Sequence, residues 1–417
     1  MGAGRAIIGA MLTGPLGLLA LVCVWLVGHA VVVRLDGRGV PVRGVEYVAA
    51  GLLASLLSVG ADGPTLAGAL APLLAVILVV VGLEVGLRFR LRALAELRAD
   101  AFQGAALLAG VTLLLVGGAT IATLVWLGRH DALEIGAVTL ALGSAAIPSA
   151  SRTLASLIRR TRASGWMSEM LVAVSWLCEV IAVLLYGLLF CVMHAGTVKL
   201  GRPLTGVEWA VLSLVLGAGL GAVTAALMGN DRDPDRLLVV LVGMGLLLAG
   251  SAWFLNLSPL FLGTVAGMAI ANLSPGRERL LDLTGLLARP LVPVLGFFAA
   301  ALWALPTAAE WVLVAAFLVS RLPARWLGGV LVEAASTHPA ADTRGMGRGF
   351  VSQGALSVGM ALGFHQAFPH IHGAAVLTAV LLGAALSAVR EERLARDLLV
   401  DAGDIPLELA PGTEAPA

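Results

Sequence analysis

Residues 168–193 read SEMLVAVSWLCEVIAVLLYGLLFCVM, a run long enough to cross a bilayer as one helix and apolar almost throughout. In its middle stands Glu179, with apolar side chains on both flanks. A carboxylate at the centre of a lipid-spanning helix costs about 2.5–3.5 kcal/mol on insertion scales. Folding alone gives no reason to keep it. Glu179 is therefore read as a binding group, able to hold a proton or a cation at membrane depth.

The rest of the chain agrees with the membrane reading. Of 417 residues, 59% are hydrophobic and 13% charged, and the mean hydropathy is +0.96, which no soluble domain of this length matches. The expected class is an all-α polytopic membrane protein. A net charge of +1 argues against a nucleic-acid partner. Cys23, Cys178 and Cys191 lie in apolar stretches without metal or redox spacing, so neither a metal site nor a cofactor is expected. No Ser/His, paired Asp or zinc-type pattern falls at membrane depth, which argues against an enzyme.

Thirteen apolar spans are expected, near residues 7–33, 45–60, 67–87, 101–127, 135–157, 169–193, 207–228, 237–255, 259–274, 284–304, 310–330, 349–368 and 373–389. One set of alternate loops carries 19 arginines, from Arg34 to Arg396, and the other only Arg5, Arg129, Lys199 and Arg202. Basic loops stay in the cytoplasm. The expected topology is thus a plasma-membrane protein with its N-terminus outside and its C-terminus inside. Residues 390–417 are expected to be a short, acidic, disordered cytoplasmic tail.

Two spans look interrupted. Leu133–Leu157 contains Gly143 and Pro148 beside Ser144, Ser149, Ser151 and Thr153; Gly349–Phe368 contains Gly354, Gly359 and Gly363 beside Ser352, Gln353 and Ser357. Each precedes another apolar span. Breaks at corresponding places in two halves point to an inverted repeat, and backbone freed at membrane depth is tolerated only where it is buried or lines a cavity. Arg321, one span before the second break, is a second intramembrane charge, expected to neutralise Glu179. Gly82/Gly86, Gly217/Gly221 and Gly263/Gly267 are G-x-x-x-G pairs, read as sites of close helix contact.

In this order the motifs resemble the cation:proton antiporter superfamily, in its Kef-type and sodium/hydrogen exchanger membrane-domain branch. Leu73–Leu97 resembles that family's early helix ending in Gly-Leu-Glu, and Leu257–Asn272 a later one. Cys178-Glu179 stands where members carry an Asp-Asp, Asn-Asp or Gln-Asp pair, and Arg321 where they carry a buried Lys or Arg. The resemblance implies thirteen helices with two crossed broken helices. It further implies core helices over about 101–193 and 310–389, scaffold helices over about 7–87 and 207–304, a homodimer, and exchange of Na⁺ or K⁺ for H⁺ by an elevator-like movement. Glu179 would be the shared ion site, with Cys178, Ser149, Ser151 and Gln353 lining the crossing and Arg321 as buried counter-charge. With an uncharged Cys178, a single carboxylate remains, which implies one proton for one cation. The alternative is a transport-inactive relative, a sensor or assembly partner, locked by a Glu179–Arg321 ion pair.

Overall fold

The computed structural model describes residues 25–30, 45–57, 63–92, 97, 99–194, 202–229, 233–274, 276–336 and 345–405. The first expected span, 7–33, lies outside the described residues except for a helical stretch at 25–30. The elements that follow are α1 (Val45–Leu57), α2 (Gly63–Leu87), α3 (Ala99–Trp126), α4 (Ala132–Ala146), α5 (Ser151–Thr161), α6 (Trp166–Met193) and α7 (Gly206–Met228). Then come α8 (Pro234–Leu255), α9 (Pro259–Leu273), α10 (Arg277–Ala301) and α11 (Glu310–Ala335). After a 3₁₀ turn (Met346–Phe350) follow α12 (Ala355–Ala367), a π turn (Pro369–Gly373), α13 (Ala374–Ala388) and α14 (Glu391–Asp401). Among the described residues, nine helical stretches are long and apolar enough to cross a membrane.

The chain gathers into two compact units, one of residues 1–90, 190–306 and 358–381, the other of 91–189, 307–357 and 382–417. Residues 358–381, expected among the core helices, fall with the first unit.

Glycine decides the packing of the first unit. Gly82 and Gly86 on α2 face Leu260 and Thr264 on α9, while Gly263 and Gly267 on α9 face Val79 and Leu83 on α2. A Cβ at any of these four would sit closer than 3.0 Å to the facing backbone. On α7, Gly217 meets the Val265 side chain and Gly221 the Ala266 backbone. Helix α9 is therefore clamped between two glycine faces, as the G-x-x-x-G pairs require. Trp209, Leu241, Leu248 and Leu262 fill the space beside them. Glu84, on α2, pairs with Arg88 one turn on.

In the second unit, α3 and α11 lie against each other. Gly328 takes Leu108 at its surface, and Gly104 faces Val332 together with Met170 and Val174 of α6. Residues 391–401, expected to be disordered, form a helix instead. Ala395, Leu398 and Leu399 recur at helical spacing and are buried, and Glu391 and Glu392 occupy the first turn, where negative charge suits the helix dipole. Leu398 packs on Gly349, Asp401 pairs with Arg348 at 3.1 Å, and Glu392 lies 3.7 Å from Arg160 on α5. Beyond α14 the Asp404 carboxylate accepts from the Ser168 N–H at 2.7 Å, and its carbonyl accepts from Ser164 N–H at 2.9 Å. The tail thereby caps the first turn of α6, and only glycine fits at Gly165 beneath that carboxylate.

Gly263→Leu should lose at least the ~1–3 kcal/mol typical of overpacking, seen as a lower melting temperature in detergent. Gly243→Ala, where nothing lies within 4 Å of the added Cβ, should melt like the parent. Asp404→Ala should cost about 1 kcal/mol, the usual worth of an N-terminal cap, measured by thermal melting.

Candidate ion-binding site

The site grows out of two interruptions. Helix α4 ends at Ala146 because Pro148 has no N–H to give; the Ser144 carbonyl is taken instead by Ile147 N–H at 3.3 Å. Ile147–Ala150 then run without helical pairing until α5 begins at Ser151. The second interruption, Val351–Gly354, separates the 3₁₀ turn from α12. At membrane depth no water pairs freed backbone groups, so each must find a protein partner.

The partners come from the opposite break and from α11. Ala150 N–H donates to Ser352 Oγ at 2.9 Å, and Gln353 Nε2 donates to the Ala145 carbonyl at 3.3 Å, so the two breaks cross in direct contact. Gly354 lets Ala150 approach, and Gly383 of α13 makes room for the Gln353 side-chain oxygen. Arg325 supplies the junction. Its Nε donates to the Phe350 carbonyl at 2.8 Å, one terminal nitrogen to the Ile147 carbonyl at 2.6 Å, and the other to Ser149 Oγ. Arg321, one turn earlier, donates to the carbonyls of Val351 at 3.2 Å and Ser352 at 2.9 Å. These two guanidiniums are 0% and 2% exposed. Neither snorkels to an interface.

Two solved structures share this architecture. The structure of the sodium proton antiporter MjNhaP1 from Methanocaldococcus jannaschii at pH 8 matches with a TM-score of 0.66 at 13% identity, covering 92% of this chain and 98% of that one. The electron-microscopy structure of the same antiporter matches at 0.64 and 14%, covering 96% and 99%. The chain has the sodium/proton antiporter fold. No protein-family model and no curated protein matches the sequence.

Within this antiporter fold the expected site residues are distributed unevenly. Ser149 and Gln353 lie at the crossing itself, and Ser151, buried, opens α5 with its N–H on the Ser149 carbonyl at 2.8 Å. Cys178 is fully buried on α6; its thiol lies 3.8 Å from the Ala105 carbonyl of α3, which ties the middle of α6 to that helix. Glu179, the next residue, is 6% exposed, so its carboxylate faces protein and not lipid.

The expected Glu179–Arg321 ion pair is corrected. Among the described residues, the hydrogen bonds of Arg321 go to main-chain carbonyls of the second break and to no carboxylate. Backbone freed by the break lies directly beside α11, and its carbonyl dipoles take the charge.

Two residues escaped the sequence reading. Arg325 joins the two breaks, whereas only Arg321 was expected as a buried charge on this helix; the signal was the four-residue spacing, which puts both arginines on one face of an apolar helix. Ser175, one turn before Glu179 and so on the same face, is fully buried, and its Oγ has no hydrogen-bond partner among the described residues.

Arg325→Lys keeps the charge but replaces a planar fork by a single point, which cannot reach Phe350, Ile147 and Ser149 together. At about 1.5–3 kcal/mol per charged hydrogen bond, losing even two should cost ~3 kcal/mol or more. The checks are a lower melting temperature and faster maleimide labelling of Cys178, which the junction now shields.

Proposed function

We propose that this chain is a secondary transporter that exchanges a monovalent cation, Na⁺ or K⁺, for H⁺, with Glu179 as the group the two ions share. The observation that carries the reading is a buried carboxylate on α6, in the same compact unit as the Arg325 junction between two broken helices. The fold similarity to a sodium proton antiporter supports it.

The chemistry follows from the parts. A carboxylate shut away from water binds either a proton or a cation, because an unneutralised charge at that depth is costly. Oxygen ligands from Ser149, Ser151, Ser175 and Gln353 would complete a shell for a desolvated cation, and protonation of Glu179 would release it. Cys178 stays neutral and shapes the site. Arg321 and Arg325 hold the breaks in place; as guanidiniums they keep their protons and cannot serve as second proton carriers. One titrating carboxylate gives one proton for one cation, hence electroneutral exchange. Access would alternate by an elevator-like movement, in a homodimer, in the plasma membrane with the C-terminus cytoplasmic.

The transport-inactive reading required Arg321 to lock Glu179. Arg321 donates to the Val351 and Ser352 carbonyls instead, which favours the exchanging reading.

In proteoliposomes carrying an inward Na⁺ or K⁺ gradient, the wild type should move protons outward, and Glu179→Gln should fall to the rate of protein-free vesicles while melting like the parent. Clamping the membrane potential at different values should leave the wild-type rate unchanged. Full activity in Glu179→Gln would overturn the assignment of the site, and a potential-dependent rate the one-for-one stoichiometry.

A further inference from the structure

A cavity of about 730 Å³ opens within the second unit, away from the contacts between the two breaks. Its walls are the middle of α11 (Leu318, Val319, Leu322, Pro323), the last turns of α13 (Gly383, Leu386) with Val389 just beyond them, Leu394 of α14, and Val351 of the second break. Val319, Leu322, Leu386 and Val389 keep large exposed apolar surfaces, so the mouth is as apolar as the walls.

Three polar residues interrupt this lining, and they are not scattered. Ser387 spends its hydroxyl on the Ala384 carbonyl. Arg321 borders the cavity with its terminal nitrogens committed to Val351 and Ser352, but its Nε–H, buried, has no hydrogen-bond partner among the described residues. Arg390 stands exposed at the rim, just past the end of α13, where the apolar stretch gives way to the charged first turn of α14. Glu391, in the first turn of α14, is close enough to Arg321 to offset part of its charge. The charged residues that line the cavity are both arginines.

An occupant must therefore be long and apolar, carry an acceptor oxygen for a buried N–H part-way along, and end in an anion at the membrane boundary. Protein segments do not have that sequence of properties; a glycerophospholipid does. Its acyl chain is apolar, its ester carbonyl accepts a hydrogen bond, and its phosphate matches an arginine. The volume lies within the range of roughly 300–1,000 Å³ found for ligand pockets.

We propose that this cavity is a specific site for one anionic phospholipid, with an acyl chain between α11 and α13, an ester carbonyl on Arg321 Nε–H and the headgroup phosphate on Arg390. Its occupant touches Val351 and Arg321, and so bears on the second break. The inference concerns binding and stands whether or not the chain exchanges ions.

The test is native mass spectrometry of the full-length detergent-purified protein, delipidated and titrated with phosphatidylglycerol or phosphatidylcholine. The wild type should retain one tightly bound phosphatidylglycerol per chain and bind phosphatidylcholine more weakly. Arg390→Gln, a change at an exposed residue that leaves the fold intact, should weaken phosphatidylglycerol about fivefold, the usual worth of one arginine at an anionic headgroup. Leu386→Trp, which fills the cavity, should remove the tight equivalent altogether. Equal binding of the two lipids, unchanged phosphatidylglycerol binding in both variants, or a change in subunit number in place of lipid loss would overturn the proposal.

Discussion

The second unit depends on one guanidinium. A helix broken inside a membrane leaves carbonyls and amides that lipid cannot pair, and this chain breaks two helices at one place. Arg325 joins them, donating to Phe350 on one break and to Ile147 and Ser149 on the other. A buried charge with no carboxylate partner would ordinarily be costly. Here the freed carbonyls are themselves the solvation shell, so the cost of the breaks and the cost of the charge offset each other. Neither would be stable without the other.

Among the described residues, no carboxylate enters the hydrogen bonds of either arginine; main-chain oxygens take most of them, and Ser149 Oγ accepts one from Arg325. Ser352 and Gln353 complete the scaffold by linking break to break, which makes the crossing a single braced object and not two loose loops.

Much of this was legible in the sequence. Period-free apolar runs of ~20 residues announce membrane helices, and glycine pairs four apart announced the α2–α9–α7 clamp correctly because close backbone approach has no substitute for glycine. The first break was legible through Pro148 and the second through its glycines and serines. What could not be read was which arginine meets which carbonyl. Arg321 and Arg325 are chemically identical on a one-dimensional string, and their partners lie up to 178 residues away. The second break also differs from the first in form: Gly345, Gly347 and Gly349 alternate there, and a single 3₁₀ turn stands in place of a long α-helix. The helix α14 was missed for another reason. Charged composition in a short tail reads as disorder, although Ala395, Leu398 and Leu399 already showed a helical stripe; its docking partners on α5 and the 3₁₀ turn are remote in sequence.

The cap on α6 has a bearing on how the protein is made. Asp404 reaches back 236 residues to close the first turn of the helix that carries Glu179. While the ribosome is still extending the chain, α6 can insert but its amide end stays open, and the glycine at 165 waits beneath an absent carboxylate. The acid-bearing helix is thus sealed only after Asp404 has emerged, so a nascent chain released before that point would hold a membrane-inserted α6 without its lock.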